Sequence, residues 1–250
     1  MNSTHQLRGH SEVWRFDNAN ALNYALIDAM SLAISKVTGE GRNPVIALPT
    51  GNTMIPFYRI AVESAESLQI EKWRCFNLDE YYPLTPENEK LGFRAYMNSN
   101  FFSRLKQTPL EQQFLNGSAA DRDVECTQYE QKIKASGGLD IALLGIGTNG
   151  HIAFNEPGSE FDTRTRAVEL HPQTLMANFK GTAPFTHALT MGIGTLLEAK
   201  KIFVVALGKN KAPAVRAALQ DRTTRTLPAT ALQEHGDVTW LLDQEAASML

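Results

Sequence analysis

The sequence is poor in cysteine, in aromatic residues and in positive charge. Of its 250 residues, two are cysteines (Cys75 and Cys126), 8% are aromatic, and the formal net charge at pH 7 is −3. The cysteines are far apart and have no metal-ligand spacing, which argues against a zinc site or a disulfide framework and is typical of a reducing compartment. Without an excess of Lys and Arg, we expect no nucleic-acid partner.

Long apolar runs are missing as well. Nowhere do eighteen apolar residues stand together, and the N-terminal residues MNSTHQLRGHSEVWRF contain no apolar core of signal-peptide length. We therefore expect no membrane partner and a cytoplasmic location. No repeat, low-complexity tract or linker divides the chain, so residues 1–250 are expected to form a single domain.

Short apolar runs alternate with helical patterns along the chain. The predicted strands are Pro44–Leu48, Lys72–Leu78, Leu139–Leu144, Lys201–Leu207 and Val238–Leu242, and the predicted helices are Asn18–Lys36, Met54–Ser67, Phe93–Phe102 and Asp121–Ala135. This alternation predicts an α/β fold with a mostly parallel sheet and helices on both faces. Residues 159–183 are polar and weakly periodic, which predicts a lid or binding loop.

The most informative stretch is LLGIGTNGHIAFNEPG, residues 143–158, an apolar run followed by a glycine-rich turn. It brings together an amide, an imidazole and a carboxylate, those of Asn149, His151 and Glu156. The alternative is an ordinary strand-to-helix turn with a structural histidine. Because the histidine follows a glycine and precedes an Asn-Glu-Pro turn, and because loops carry function more often than packing, the pattern favours a functional role.

The same stretch matches the dinucleotide fingerprint G-x-G-x-x-G at positions 145, 147 and 150. In nicotinamide and flavin enzymes the third glycine lies in a helix that packs under the pyrophosphate. Here Pro157 and Gly158 would end such a helix within about two turns. We therefore expect no dinucleotide cofactor, and the purified protein should bind no nicotinamide.

Other polar residues follow predicted strands. Residues 50–53, Thr-Gly-Asn-Thr, lie between a strand and a helix, where free N–H groups and the helix dipole favour an anion, although simple topology explains the turn equally well. The turn lacks the lysine of a Walker loop. Asp79 and Glu80 end a strand where open α/β sheets bind ligands, and spacing alone does not separate them from each other or from solvated carboxylates. These residues can share one edge of the sheet.

Five segments together resemble glucosamine-6-phosphate deaminases in order and approximate spacing: LPTGNT, FNLDEYY, LLGIGTNGHIAFNEPGS, ALTMGIGTLLEA and ALGKNKA. The resemblance implies a modified Rossmann-like sheet and a metal-free, cofactor-free conversion of an amino-sugar 6-phosphate, glucosamine 6-phosphate, to fructose 6-phosphate and ammonia. The related 6-phosphogluconolactonases share the fold, the first turn and a glycine-histidine turn, and a lactonase is the alternative function. The stretch GHIAFNEPG favours the deaminase.

The resemblance also assigns roles by position. His151 matches the group that opens the pyranose ring, Glu156 and Asn149 support it, and Asp79 matches the base that moves a proton from C2 to C1. The residues that match the phosphate site are Thr50, Gly51, Asn52, Thr53, Lys180 and Lys211.

Four positions depart from the family pattern. Asn149 replaces the aspartate of some members, Asn52 a glycine, Lys180 an arginine and Phe93 a tyrosine. Lysine keeps the charge of arginine but loses its bidentate geometry. These changes leave the sugar epimer open, so galactosamine 6-phosphate is an alternative substrate.

The resemblance bears on regulation and assembly too. Hexameric members use a basic pair near Arg166 and a longer C-terminal segment, whereas Val168 fills the second basic position here and the sequence stops at Leu250. We therefore expect no activation by an N-acetylated sugar phosphate and a monomer or small homo-oligomer. A non-catalytic sugar-phosphate sensor is disfavoured, because only about forty residues precede the first predicted strand, too few for the usual DNA-binding segment.

Overall fold

The computed structural model describes residues 4–8, 11–179 and 184–250. The strands are β1 (Thr4–Arg8), β2 (Ser11–Phe16), β3 (Val45–Leu48), β4 (Arg74–Asn77), β5 (Asp79–Tyr82), β6 (Glu111–Gln113), β7 (Ile141–Gly145), β8 (Arg166–Glu169), β9 (His187–Thr190), β10 (Lys201–Ala206) and β11 (Val238–Asp243). The α-helices are α1 (Ala19–Gly39), α2 (Ile55–Glu63), α3 (Phe93–Asn100), α4 (Arg122–Ala135), α5 (Pro172–Phe179), α6 (Ile193–Leu197) and α7 (Ala212–Gln220).

The larger of two sheets has the order β1-β2-β11-β10-β7-β3-β4-β6. Within this sheet the described strands pair in parallel, except that β1 pairs antiparallel with β2. The chain passes from β3 through β4 to β6 at one edge and then returns to β7 on the other side of β3. Strand order therefore reverses between β3 and β7, and such a reversal opens a crevice at the carboxyl ends of the strands.

The apolar runs form the central strands because both faces of the sheet are buried. In β3, Val45 and Ala47 pack into one hydrophobic cluster, and Ile46 and Leu48 pack into another on the opposite face. Helices α4, α6 and α7 contribute to the first cluster, and α1, α2 and α3 contribute to the second. The predicted mostly parallel sheet with helices on both faces is thus confirmed.

Local signals explain where two predicted helices begin. The side chain of Asn18 accepts a hydrogen bond from Ala21 N at 2.9 Å, and the side chain of Asp121 accepts from Asp123 N at 2.9 Å and Val124 N at 3.0 Å. Each acceptor satisfies N–H groups that have no partner within the first turn. Both predicted helices are therefore confirmed, with shifts of a few residues at their ends.

A second sheet was not predicted. Its strands have the order β5-β9-β8 and pair antiparallel, with Thr190 opposite both Asp79 and Arg166. The predicted strand Lys72–Leu78 ends at Asn77 as β4, and the acids that follow it belong to β5. Residues 159–183 contain β8 and α5.

The N-terminal region also differs from expectation. Strands β1 and β2 lie within the first sixteen residues, so the first strand does not begin after about forty residues as predicted. No helix in the described ranges has the length and apolar character needed to cross a membrane.

Candidate active site

The turns predicted to carry chemistry lie at one edge of the larger sheet. Strands β10, β7, β3 and β4 are neighbours in that sheet. The turns after β10, β7 and β3 contain predicted site residues, and Asp79 begins β5 directly after β4. With strands spaced about 4.8 Å apart, the four strands span about 15 Å, so their carboxyl ends lie near one crevice between β3 and β7.

The turn after β7 builds an imidazole–carboxylate pair. His151 Nδ1 lies 3.3 Å from Glu156 Oε2, but it is off the line of a well-formed hydrogen bond. Glu156 Oε2 also accepts a hydrogen bond from Asn149 Nδ2 at 2.7 Å, and Oε1 accepts one from Thr174 Oγ1 at 2.5 Å. Carboxylate, amide and imidazole are thus brought together, as the sequence predicts.

These neighbours keep Glu156 ionised. Burial raises the pKa of this carboxyl, but the nearby His151 imidazole and the donors Thr174 and Asn149 outweigh burial and lower the pKa to about 2. A carboxylate of this kind orients an imidazole, while the second ring nitrogen is left for a ligand.

Packing within the protein accounts for two glycines of this turn without a nucleotide. A Cβ on Gly147 would lie 2.4 Å from His151 Nδ1, so any side chain there would displace the ring. Gly150 has a φ of +80°, and a Cβ there would lie 2.4 Å from Leu227 Cγ. No helix follows Gly150. The pyrophosphate-binding geometry of the dinucleotide fingerprint is therefore not built here.

Buried polar contacts fix the end of the same turn to the second sheet. The Asn155 amide group donates to the carbonyls of Ile152 and Met191, each at 2.9 Å, and its Oδ1 accepts from Arg166 Nη1 at 2.8 Å. Phe154 N donates to Thr190 Oγ1 at 3.1 Å. No role was predicted for Phe154, Asn155 or Thr190, because their partners lie far away along the chain.

The two adjacent acids of β5 have different surroundings. Asp79 is 7% exposed, its Oδ1 has no hydrogen-bond partner among the described residues, and burial with the nearby charge of Glu80 raises its pKa well above the usual range. Glu80 accepts hydrogen bonds from Tyr81 N, Phe93 N and Arg94 N at 2.7–2.9 Å. Glu80 therefore holds the start of α3, whereas Asp79 makes no such contact through Oδ1.

Alternation along the strand separates these acids in space. Successive side chains of a β-strand point to opposite faces. A surface cleft of about 730 Å³ is lined by Glu80, Arg94 and Glu125, and neither Asp79 nor His151 contacts it. That cleft is thus distinct from the site at the carboxyl edge of the sheet.

The turn after β3 has the shape of an anion-binding loop. Gly51 adopts a φ of +104°, and residues Asn52–Met54 form a short 3₁₀ helix that leads into α2. Thr50 and Thr53 are half-buried, while Gly51 and Asn52 are exposed. Tyr96 Oη donates to the Gly51 carbonyl at 2.8 Å, which links this turn to α3.

Lys211 follows β10 at the start of α7. It is half-buried, desolvation lowers its pKa, and no carboxylate of the described residues pairs with it. Lys209 is exposed. A buried cation without an anionic partner is suited to an anionic ligand. Lys180, the other predicted cation, lies outside the described residues.

Comparisons with known proteins agree with this geometry. The model of the family of glucosamine-6-phosphate isomerases and 6-phosphogluconolactonases matches residues 17–240. The glucosamine-6-phosphate deaminase of Bacillus velezensis is 41% identical over 220 residues, which cover 86% of this chain and 91% of that protein. Glucosamine-6-phosphate deaminase 1 of Bacillus subtilis is 42% identical over 217 residues, covering 84% and 89%.

Solved structures also match this chain in fold. A monomeric glucosamine-6-phosphate deaminase superposes with a TM-score of 0.88 at 37% identity, covering 95% of this chain and 99% of that one. The 6-phosphogluconolactonase of Trypanosoma cruzi has a TM-score of 0.77 at 20% identity, covering 99% of each chain, and shares the fold.

Proposed function

The chain belongs to the family of glucosamine-6-phosphate isomerases and 6-phosphogluconolactonases, and within it we propose that the chain is a glucosamine-6-phosphate deaminase. It isomerises the amino aldose to a ketose and releases ammonia by hydrolysis of the resulting imine. The observation that carries the mechanism is the presence of two separate acid–base groups, the His151–Glu156 pair and Asp79, at one edge of the sheet.

The first proton transfer is ring opening, and His151 is the group proposed to perform it. Its imidazole takes the proton from the O1 hydroxyl and returns it to O5, so the C1–O5 bond breaks and the open-chain aldehyde forms. Imidazole suits this step because it accepts and donates protons near neutral pH. Glu156 Oε2 lies beside Nδ1 and leaves Nε2 for the sugar, and Asn149 donates a hydrogen bond to Glu156.

The second proton transfer is the isomerisation, which is assigned to Asp79. Its carboxylate removes the proton from C2 while a proton of the C2 ammonium group passes to O1, which gives an enolamine. Asp79 then returns the proton to C1, which leaves an iminium ion at C2. Water adds to C2 and the nitrogen leaves as ammonium, which yields fructose 6-phosphate. The unpartnered Oδ1 supports this role, because a base needs an oxygen that is not already committed to a donor.

The phosphate is proposed to bind at the positive end of the site. Thr50, Gly51, Asn52 and Thr53 would donate N–H and hydroxyl groups, and Lys211 would supply the charge. Lys180 is proposed as a second cation on the basis of its sequence position. We also propose a monomer or small homo-oligomer, since Val168 stands in the second basic position of the hexameric members.

The test is ammonia release from glucosamine 6-phosphate by the wild-type protein and by Asp79→Asn, with galactosamine 6-phosphate and 6-phosphogluconolactone as parallel substrates. Release from glucosamine 6-phosphate that is lost in the variant is expected. Faster ammonia release from galactosamine 6-phosphate would identify that epimer as the preferred substrate. Hydrolysis of the lactone without ammonia from either sugar would overturn the proposal.

A further inference from the structure

A single hydroxyl group joins the catalytic turn to helix α5. Thr174 is 7% exposed, and its Oγ1 donates to Glu156 Oε1 at 2.5 Å across eighteen residues of sequence. The other carboxylate oxygen is held by Asn149, which belongs to the same turn as Glu156. The terminal torsion of a glutamate is soft, so its carboxylate plane is fixed only when both oxygens are held. One of the two donors comes from α5.

The position of α5 depends on a cluster of aromatic side chains. The Phe179 ring lies 5.2 Å from that of Tyr81 and 5.7 Å from that of Phe185, and Leu175 packs against the same cluster. Met176, on the other side of the helix, is 62% exposed. A helix of eight residues is not stable alone, so α5 keeps its place through this one packed face.

We propose that Thr174 is a positioning residue that makes the alignment of Glu156 with His151 depend on the docking of α5. The inference rests on the proposed function and deepens it. Helix α5 lies in the predicted lid, residues 159–183. When α5 is docked on the aromatic cluster, Thr174 holds Glu156 in the arrangement in which it faces His151 for ring opening.

The central experiment compares Thr174→Val with Thr174→Ser in steady-state ammonia release. Valine has the shape of threonine without its hydroxyl group, and we expect kcat to fall about tenfold with KM within about twofold, since one hydrogen bond to a charged group is lost. Serine keeps the hydroxyl group, so its kcat should stay within about twofold of the wild type. Met176→Ala is the matched control on the exposed face of α5 and should change neither constant.

A double-mutant cycle separates coupling from general damage. Leu175→Ala removes an anchor of α5 and should lower kcat in the wild-type background. If docking acts through the Thr174 hydroxyl group, Leu175→Ala should cause no further loss of kcat in the Thr174→Val background. Additive losses would overturn the inference, as would a serine variant as impaired as the valine variant.

The outcomes distinguish this inference from the proposed function. If the wild-type protein releases ammonia and Thr174→Val has an unchanged kcat, the role of Thr174 is refuted and the proposed function stands. If the wild-type protein releases no ammonia from either amino sugar, both the role of Thr174 and the proposed function are refuted. Thermal unfolding of each variant identifies any loss of kcat that comes from unfolded protein.

Discussion

Asp79 and Glu156 are two carboxylates of the proposed active site, and their surroundings are opposite. Asp79 is buried in β5, its Oδ1 has no donor among the described residues, and its pKa is raised. Glu156 has a neighbouring imidazole and two hydrogen-bond donors, and its pKa is lowered to about 2 despite burial. The difference suits the two proposed roles, because a raised pKa makes Asp79 the stronger base, whereas Glu156 stays ionised beside the imidazole.

The contrast extends to the residue beside Asp79. Burial raises the pKa of Glu80 too, but three backbone N–H groups occupy its oxygens and oppose that rise. Two neighbouring acids therefore differ in role because donors are supplied to one face of β5 and not to the other.

The largest effect is expected from Asp79→Asn, which should lower kcat about 10³-fold by removing the base. The same change should raise the melting temperature at pH 7. A buried carboxyl with a raised pKa destabilises the fold once pH exceeds its unfolded pKa, because the native state holds the proton more tightly. Steady-state ammonia assays and thermal unfolding of the variant measure both effects.

Glu80→Gln is the matched control for that result. It should keep kcat within several-fold of the wild type and lower the melting temperature, since Phe93 N and Arg94 N donate to different oxygens of Glu80 and the amide N–H₂ would face one of these two N–H groups. If Glu80→Gln abolished activity and Asp79→Asn did not, the assignment of the two acids would be reversed.

A smaller loss, about 10²-fold, is expected for His151→Gln at low enzyme concentration. Sugar phosphates also open without a catalyst, and Asp79 remains in this variant. Ammonia release should therefore approach a plateau as enzyme is added, set by spontaneous ring opening. A rate that stays proportional to enzyme concentration would contradict the ring-opening role.

Lys211→Met tests the binding end of the site. Loss of a half-buried cation should raise KM for glucosamine 6-phosphate about 30-fold and leave kcat nearly unchanged, since phosphate binding is uniform through the reaction. Lys209→Met removes an exposed charge from the same turn and should have less than a threefold effect. Equal effects of the two substitutions would refute a specific role for Lys211.

The smallest effect is on stability and depends on pH. Because the folded-state pKa of Glu156 is lowered, its charge stabilises the fold above its unfolded pKa, near 4.5, and this contribution is lost as pH falls toward about 2. The free energy of unfolding of the wild type should exceed that of Glu156→Gln by about 1 kcal/mol at pH 7, because Gln keeps part of the hydrogen bonding. This difference should shrink between pH 5 and pH 3. Urea unfolding at several pH values measures this, and a constant difference would contradict it.

The central strands could be predicted from sequence because both of their faces are buried. Runs such as VIAL and IALL contain no polar residue, and the turns after them follow directly. The family resemblance was carried by those turns, and the comparisons confirm both the family and the fold.

Strand β8 of the second sheet and the edge strand β6 of the larger sheet had no such signal. They read Arg-Ala-Val-Glu and Glu-Gln-Gln, and their pairing depends on strands far away in sequence. Position along the chain could not separate Asp79 from Glu80, because two of the three donors to Glu80 come from α3, thirteen or more residues away. The role of Thr174 was not predicted either, because nothing in the sequence near this hydroxyl group indicates that its hydrogen-bond partner is Glu156.

Phe93, which stands where the family pattern has a tyrosine, is a further position whose surroundings only the fold shows. It stacks in the aromatic cluster, 4.5 Å from the Tyr81 ring and 5.9 Å from that of Phe154. Its ring supports the packing that receives α5, which a sequence comparison alone does not reveal.

The crowded glycines beside His151 restrict how this site can change in evolution. Gly147 and Gly150 leave no room for a Cβ, whereas one on Gly145 would meet no atom within 4 Å. Genetic drift should therefore be possible at the first glycine of the fingerprint and blocked at the other two. In a library selected for ammonia release, alanine should survive at 145 and vanish at 147 and 150. The block at 147 comes from the His151 ring, and the block at 150 comes from the positive φ and the Leu227 side chain.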